Sequence, residues 1–178
     1  MIHRILFSAV WLGCVCPALL AWGSPSSEII SEPAAQQHGL TRAWYTQSAV
    51  DPARGRVREL VLDEGSLFML SDQASVTAID ATTGAARWSA EVGNRRYPTM
   101  TPAANRKLVA VVNGTTLYLL NRFNGRLLWQ TTLEGVPGAG PALSQQRVYV
   151  PLMDGRLVAY EIKELKGKFA ESAKKPVT

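Results

Sequence analysis

From Leu40 to Ile162 the chain is a succession of short apolar runs separated by turn residues, and no stretch of it sustains a helical period. The runs fall into three groups. Innermost strands are predicted near Arg58–Leu62, Met100–Ala103 and Gly140–Leu143. The next lie near Ser66–Leu70, Lys107–Val112 and Arg147–Pro151, and the third near Ser75–Ile79, Thr116–Leu120 and Arg156–Tyr160. Asn113-Gly114 and Asp154-Gly155 are hairpin dipeptides between the second and third strands. Asp72-Gln73 holds that place in the first group without a glycine, which predicts a longer or different turn. Leu108, Val109, Val111 and Val112 make a nearly unbroken apolar strand, suited to a sheet covered on both faces.

The outermost strands carry tryptophan: Trp88 within Ala86–Ala90 and Trp129 within Leu127–Thr132, 41 residues apart. A period near ~40–45 residues built from short strands is that of a propeller blade. Pro102-Ala103 recurs as Pro141-Ala142 at nearly the same spacing. The third group has no outer strand after Ile162, while Arg42–Thr46 is a lone strand with Trp44, 44 residues before Trp88. The expected fold is therefore all-β, a partial β-propeller of three four-stranded blades over residues 40–162. The N-terminal strand 42–47 would supply the last blade's edge, in this molecule or in a partner. Propellers typically close with ~4–8 blades, so three leave two blade faces open. At about 25 cal/mol per Å², roughly 500 Å² of wet apolar area forfeits about 12 kcal/mol per face. A longer propeller, self-association that covers the open faces, or a marginal truncated product each answers this.

The repeat itself has a physical reading. Ala78-Ile-Asp80-Ala-Thr-Thr83-Gly84 leads to Trp88, and Leu119-Leu-Asn121-Arg-Phe-Asn-Gly125 leads to Trp129. Asp80 or Asn121 caps a turn through nearby amides. Gly84 and Gly125 take a positive-φ position. The flat indole four residues on can lie across the next blade as a staple. This pattern resembles the tryptophan-docking motif of quinoprotein-type (pyrroloquinoline-quinone-like) propeller repeats, within the WD40-like and quinoprotein-like superfamily. Ala78, Asp80, Thr83, Gly84 and Trp88 match it throughout, and Asn121, Gly125 and Trp129 match in the second copy. The resemblance spans roughly Trp44 to Ile162 and is closest to exported bacterial members without a shown cofactor. More distantly it includes the outer-membrane barrel-assembly lipoprotein, a periplasmic binding scaffold. It also includes quinone-dependent dehydrogenases, which use an Asp base, calcium and, in several members, an adjacent Cys pair.

Residues 1–23 read as a secretory signal: Arg4, an apolar run Ile5–Ala21, and the small-x-small pattern Ala21-Trp22-Gly23. An uncleaved anchor helix, weakened by Pro17, and lipid attachment at Cys14 are the alternatives. Cleavage after Gly23 removes Cys14, Cys16 and His3, leaving no thiol and His38 as the single imidazole. Disulfides, thiolate metal sites, Cys nucleophiles and multi-His zinc sites are then excluded. The mature chain has no transmembrane span. Losing Arg4 takes Lys+Arg from 19 to 18 against 14 Asp+Glu, and the net charge from +5 to +4. Most of that excess sits in the basic tail 163–178, with Lys163, Lys166, Lys168, Lys174 and Lys175. No clustered basic face suggests nucleic acid. Residues 24–39 read as a polar linker.

Asp72, Asp80 and Asp154 stand at strand ends where a ligand could be held, and are expected to form turns instead. Glu91 and Glu134 are expected as exposed edge charges, and Arg54, Arg56, Arg58 and Arg95-Arg96-Tyr97 as loop groups or a partner surface. Tyr118, Tyr149 and Tyr160 are expected to pack between blades. No catalytic, cofactor or metal residue is assigned. The expectation is an exported, non-catalytic binding or scaffold module of the periplasm or cell envelope, with a protein or envelope partner. The alternative is a quinone-dependent oxidoreductase, or a fragment of one, binding pyrroloquinoline quinone.

Overall fold

The computed structural model describes residues 30–48, 50, 51, 53 and 55–162. The signal region 1–23, Cys14, Arg54 and the basic tail 163–178 lie outside the described residues. The chain divides at Thr41/Arg42 into two units.

In the first unit a short helix, α1 (Glu32–Gln37), stands where a polar linker was expected. Pro33 in its first turn has the φ a helix start needs and no amide to waste. The Ala-Ala-Gln-Gln run after it favours helix. The helix buries no residue, and His38 beyond it is exposed.

The second unit is three antiparallel meanders. The first sheet is β1 (Val57–Asp63), β2 (Ser66–Ser71), β3 (Ser75–Asp80) and β4 (Ala86–Glu91), in that order. The second is β5 (Ala103–Ala104), β6 (Leu108–Asn113), β7 (Thr116–Asn121) and β8 (Leu127–Thr132). The third is β9 (Ala142–Leu143), β10 (Arg147–Pro151) and β11 (Leu157–Glu161). Each is one blade of a partial β-propeller. Turn chemistry sets the hairpins. Gly114 takes φ +58 after Asn113, while the glycine-free β2–β3 turn of the first blade is longer, and in it Ala74 itself adopts φ +56. β5 is short, and its line continues as a bridge between Thr99 and Asn113 and a bond from the Met100 amide to the Val112 carbonyl (2.8 Å).

Two cores lie between the blades. Phe68, Leu70, Val76 and Ala78 of the first sheet meet Val109, Val111 and Leu120 of the second. On the other side of the same strand, Ala110 and Val112, with Leu117 and Leu119, meet Val148, Val150 and Leu152 of the third. β6 is buried at all six positions, as its unbroken apolar sequence requires.

Two expectations are corrected. Among the described residues the third blade has three strands, not four, and residues 42–47 belong to no ladder. A strand exists only when its backbone groups find a partner. Trp44 is fixed on the first sheet, whereas the edge that no described residue pairs is on β11, two blades away. Tyr149 is also not in either core; it is half-buried on the third sheet's far face, unlike Tyr118 and Tyr160, which pack against the cores.

Phe68 is fully buried and Phe123 is 67% exposed. Phe68→Ala should therefore lose about 3–5 kcal/mol in denaturant titration, and Phe123→Ala less than about 0.5 kcal/mol.

Candidate functional site

The turn from β3 to β4 begins at Asp80, whose Oδ1 accepts the amides of Thr82 and Thr83, each at 2.9 Å. The Gly84 amide closes the turn on the Asp80 carbonyl at 2.8 Å. Thr83 Oγ1 accepts the Ala85 amide at 3.3 Å. The β7–β8 turn repeats this with amides. Asn121 Oδ1 accepts from Phe123 (2.8 Å), Asn124 Oδ1 accepts from Arg126 (3.0 Å), and Gly125 closes on the Asn121 carbonyl (2.9 Å). Asn can replace both Asp80 and Thr83 because each needs only one acceptor oxygen.

These turns are where indoles land. Trp44 Nε1 donates to the Ala81 carbonyl at 2.9 Å and its ring covers Gly84. Trp88 Nε1 donates to the Arg122 carbonyl at 2.7 Å and its ring covers Gly125. Gly84 and Gly125 hold φ +74 and +70, and a Cβ at either would collide with the indole above it. Glycine is thus required twice over, for the backbone and for the close approach. Trp88 pairs with Ala78 across its own sheet, and Trp129 with Leu119. Trp129 meets Tyr160 of the third sheet edge-on, centroids 5.9 Å apart.

Arg122 is a residue that sequence reasoning passed over. It is 6% exposed, pairs with Asp63 of the first sheet, and donates to the Asp63 carbonyl (2.5 Å) and the Asn105 carbonyl (2.7 Å). Its guanidinium lies 5.2 Å from the Phe68 ring centroid. One buried cation therefore joins the first blade to the second beside the Trp88 contact. The available signal was slight: an arginine where the first copy has Ala81.

The three strand-end carboxylates are each held by hydrogen bonds and stand in separate turns. The Arg56 amide (2.9 Å) and the Gln73 side chain hold the Asp72 carboxyl below the ordinary range. Arg156 does the same for Asp154, through its guanidinium at 2.8 Å and its amide. At Asp80 the Arg87 guanidinium, at 2.5 Å, and then the Thr83 and Thr82 amides lower the pKa to about 2. Among the described residues no three or more His, Cys, Asp or Glu side chains converge. Glu91 and Glu134 are exposed.

What the fold does gather is a set of exposed groups at the end of the blades where crossovers meet the β6–β7 and β10–β11 hairpins. Buried Asn113 holds the first crossover, accepting the Asn94 amide (2.9 Å) and donating to the Tyr97 carbonyl (3.1 Å) and Thr99 Oγ1 (2.8 Å). The Met153 amide bonds the Val136 carbonyl at 2.9 Å. Arg95, Arg96, Tyr97, Val136 and Met153 are consequently presented outward, the last three 60%, 57% and 74% exposed.

A family model described as outer membrane protein assembly factor BamB (PQQ_2) matches residues 36–164. The chain belongs to that family. No curated protein matches it. Among solved structures it is similar to BamB from Moraxella catarrhalis, at 13% identity and TM-score 0.46, over 59% of this chain and 37% of that one. It is also similar to the computationally designed Ika8 protein, at 17% identity and TM-score 0.53, over 60% and 33%. A europium-containing methanol dehydrogenase aligns at 20% identity and TM-score 0.37, over 43% and 15%. The chain thus spans well under half of the length of each, and its likeness to the designed protein is one of fold. Among the described residues no helix of this family member is long and apolar enough to cross a membrane.

Two measurements check the geometry. Gly125→Ala and Trp88→Ala should each destabilise, Trp88→Ala by about 3 kcal/mol. The double variant should lose clearly less than the sum, because removing the ring makes room for the methyl. Asp80 is stabilising wherever it is ionised in both states, above its ordinary pKa of 3.8, and that contribution is lost as pH falls through about 2. Asp80→Asn keeps the cap and removes the titration. The melting-temperature gap between the two proteins should therefore be widest near neutral pH and close as pH approaches about 2.

Proposed function

We propose that this chain is an exported, non-catalytic binding scaffold of the cell envelope, working with a protein partner in outer-membrane assembly. Its family description supports the setting. The observation that carries the binding role is the crossover end. There Asn113 ties down the crossover that carries Arg95, Arg96 and Tyr97, the bond from the Met153 amide to the Val136 carbonyl ties down the next one, and Tyr97, Val136 and Met153 are left out in solvent. Apolar groups fixed in water with arginines at their side are the composition of protein-recognition surfaces. The strand-end carboxylates Asp72, Asp80 and Asp154, by contrast, are each held by backbone amides and neighbouring side chains, which favours a structural role for them.

Photo-crosslinking residues placed at Tyr97 and Met153 in the producing cell should trap the same protein, and one at Thr132 on the outer edge should not. Adducts spread equally over all three sites would sink the assignment of this end. In parallel, pyrroloquinoline quinone with Ca²⁺ should leave the melting temperature of the purified protein unmoved; a saturable rise would favour the oxidoreductase reading.

A further inference from the structure

We propose that two copies of this chain close into one six-bladed ring, in which residues 42–47 of each copy form the fourth strand of the other's third blade. The first argument is where the indoles land. Trp88 stands on the outer strand of the first sheet and docks on the turn of the second, its N–H on the carbonyl after the capping residue and its ring over glycine. Trp44 makes the same two contacts with the first sheet, at Ala81 and Gly84. Residues around Trp44 therefore occupy the place of the outer strand of a sheet standing before the first one. No such sheet is found among the described residues. The third sheet of a second copy is a sheet of the right kind.

The second argument is the edge itself. β3 and β7 each carry an outer strand, β4 and β8. β11 holds the corresponding position, and no described residue pairs with its outer side. Residues 43–48 already alternate as a strand does, with Trp44, Thr46 and Ser48 half-buried and Ala43, Tyr45 and Gln47 exposed.

The third is the uncovered face. Val76 and Leu117, corresponding positions of the first two blades, are 0% exposed. Their counterpart Leu157 is 66% exposed. On the opposite side of the unit, the first sheet shows Leu60 at 61% and Leu62 at 67% along β1, while Met69, Thr77 and Ile79 on the same face are buried. Stacking one copy's third blade on the other's first blade covers Leu157 together with Leu60 and Leu62.

The pairing has a defined register. Ala78 faces Trp88 and Leu119 faces Trp129. Carried to β11, Ala159 faces Trp44, Val158 faces Tyr45, and Leu157 faces Thr46. Arg42 then falls opposite Tyr160 and beside Glu161, a carboxylate that otherwise reaches Arg147 at 3.4 Å. Ring size selects two copies, since six blades lie within the usual ~4–8 whereas three and nine do not. Residues 163–178 of the same chain are the competing occupant. Their sequence lacks the turn that leads into β4 and β8, for Leu165 stands where Gly84 and Gly125 hold positive φ.

The test is disulfide trapping in the full chain with Cys14 and Cys16 changed to serine. Tyr45→Cys combined with Val158→Cys should give, on mild oxidation with diamide, a covalent dimer that sediments as a discrete dimer. The register-shifted combination Ala43→Cys with Val158→Cys should link at least roughly tenfold less, because disulfides demand close Cβ atoms. A monomer, a link within one chain, or a dimer that does not link in this register would each overturn the proposal. The first result would point to the C-terminal segment on β11, and the second to closure within a single molecule.

Discussion

A sheet that is apolar on both sides has to be covered on both sides, and the rest of this structure follows from that constraint. β6 is its clearest expression, since its five apolar side chains, Leu108 to Val112, are buried alternately against the blade after and the blade before. A single four-stranded meander could not bury them. Stability therefore resides between blades more than within them, and each blade depends on its neighbours as the units of a repeat protein do.

Covering faces would allow sheets to slide were it not for the directional contacts at their rims. The indole of one blade is held by a hydrogen bond to a turn carbonyl of the next and by a glycine that lets the ring touch backbone. Arg122 adds a buried charge that satisfies Asp63 of one blade and two carbonyls of the interface. Buried polar contacts of this sort are worth little in net energy but are costly to break, so they fix the relation of blades that apolar packing alone would leave loose. At the crossover end the structural bonds are made by Asn113 and by backbone groups, and the side chains of Tyr97, Val136 and Met153 are left exposed.

The blade pattern was readable because its causes are local. Asn113-Gly114 marks a tight hairpin, the absence of glycine after Asp72 marks a longer one, and the unbroken apolar run of β6 marks a strand with two covered faces. Arg122 was not readable. Its role depends on Asp63, 59 positions away, coming to lie across an interface, and nothing in its own neighbourhood signals burial. Asn113 was half readable: its turn role is local, but its hold on Asn94, Tyr97 and Thr99 arises only once the crossover is folded over it. The helix at Glu32–Gln37 was missed because a polar, proline-containing stretch looks like linker even when its alanines and glutamines can close a turn or two.

By itself, then, the amino-acid order determined the strands, their turns and the period that repeats them, because hydrogen-bonding turns and two-residue alternation are encoded within a few neighbouring positions. Only the tertiary structure decided which indole meets which glycine, that residues 42–47 join no ladder among the described residues while Trp44 is docked, and that Leu157 of the third blade is exposed. Those outcomes are set by which surfaces are brought together, and a chain position carries no record of its distant neighbours until packing has chosen them.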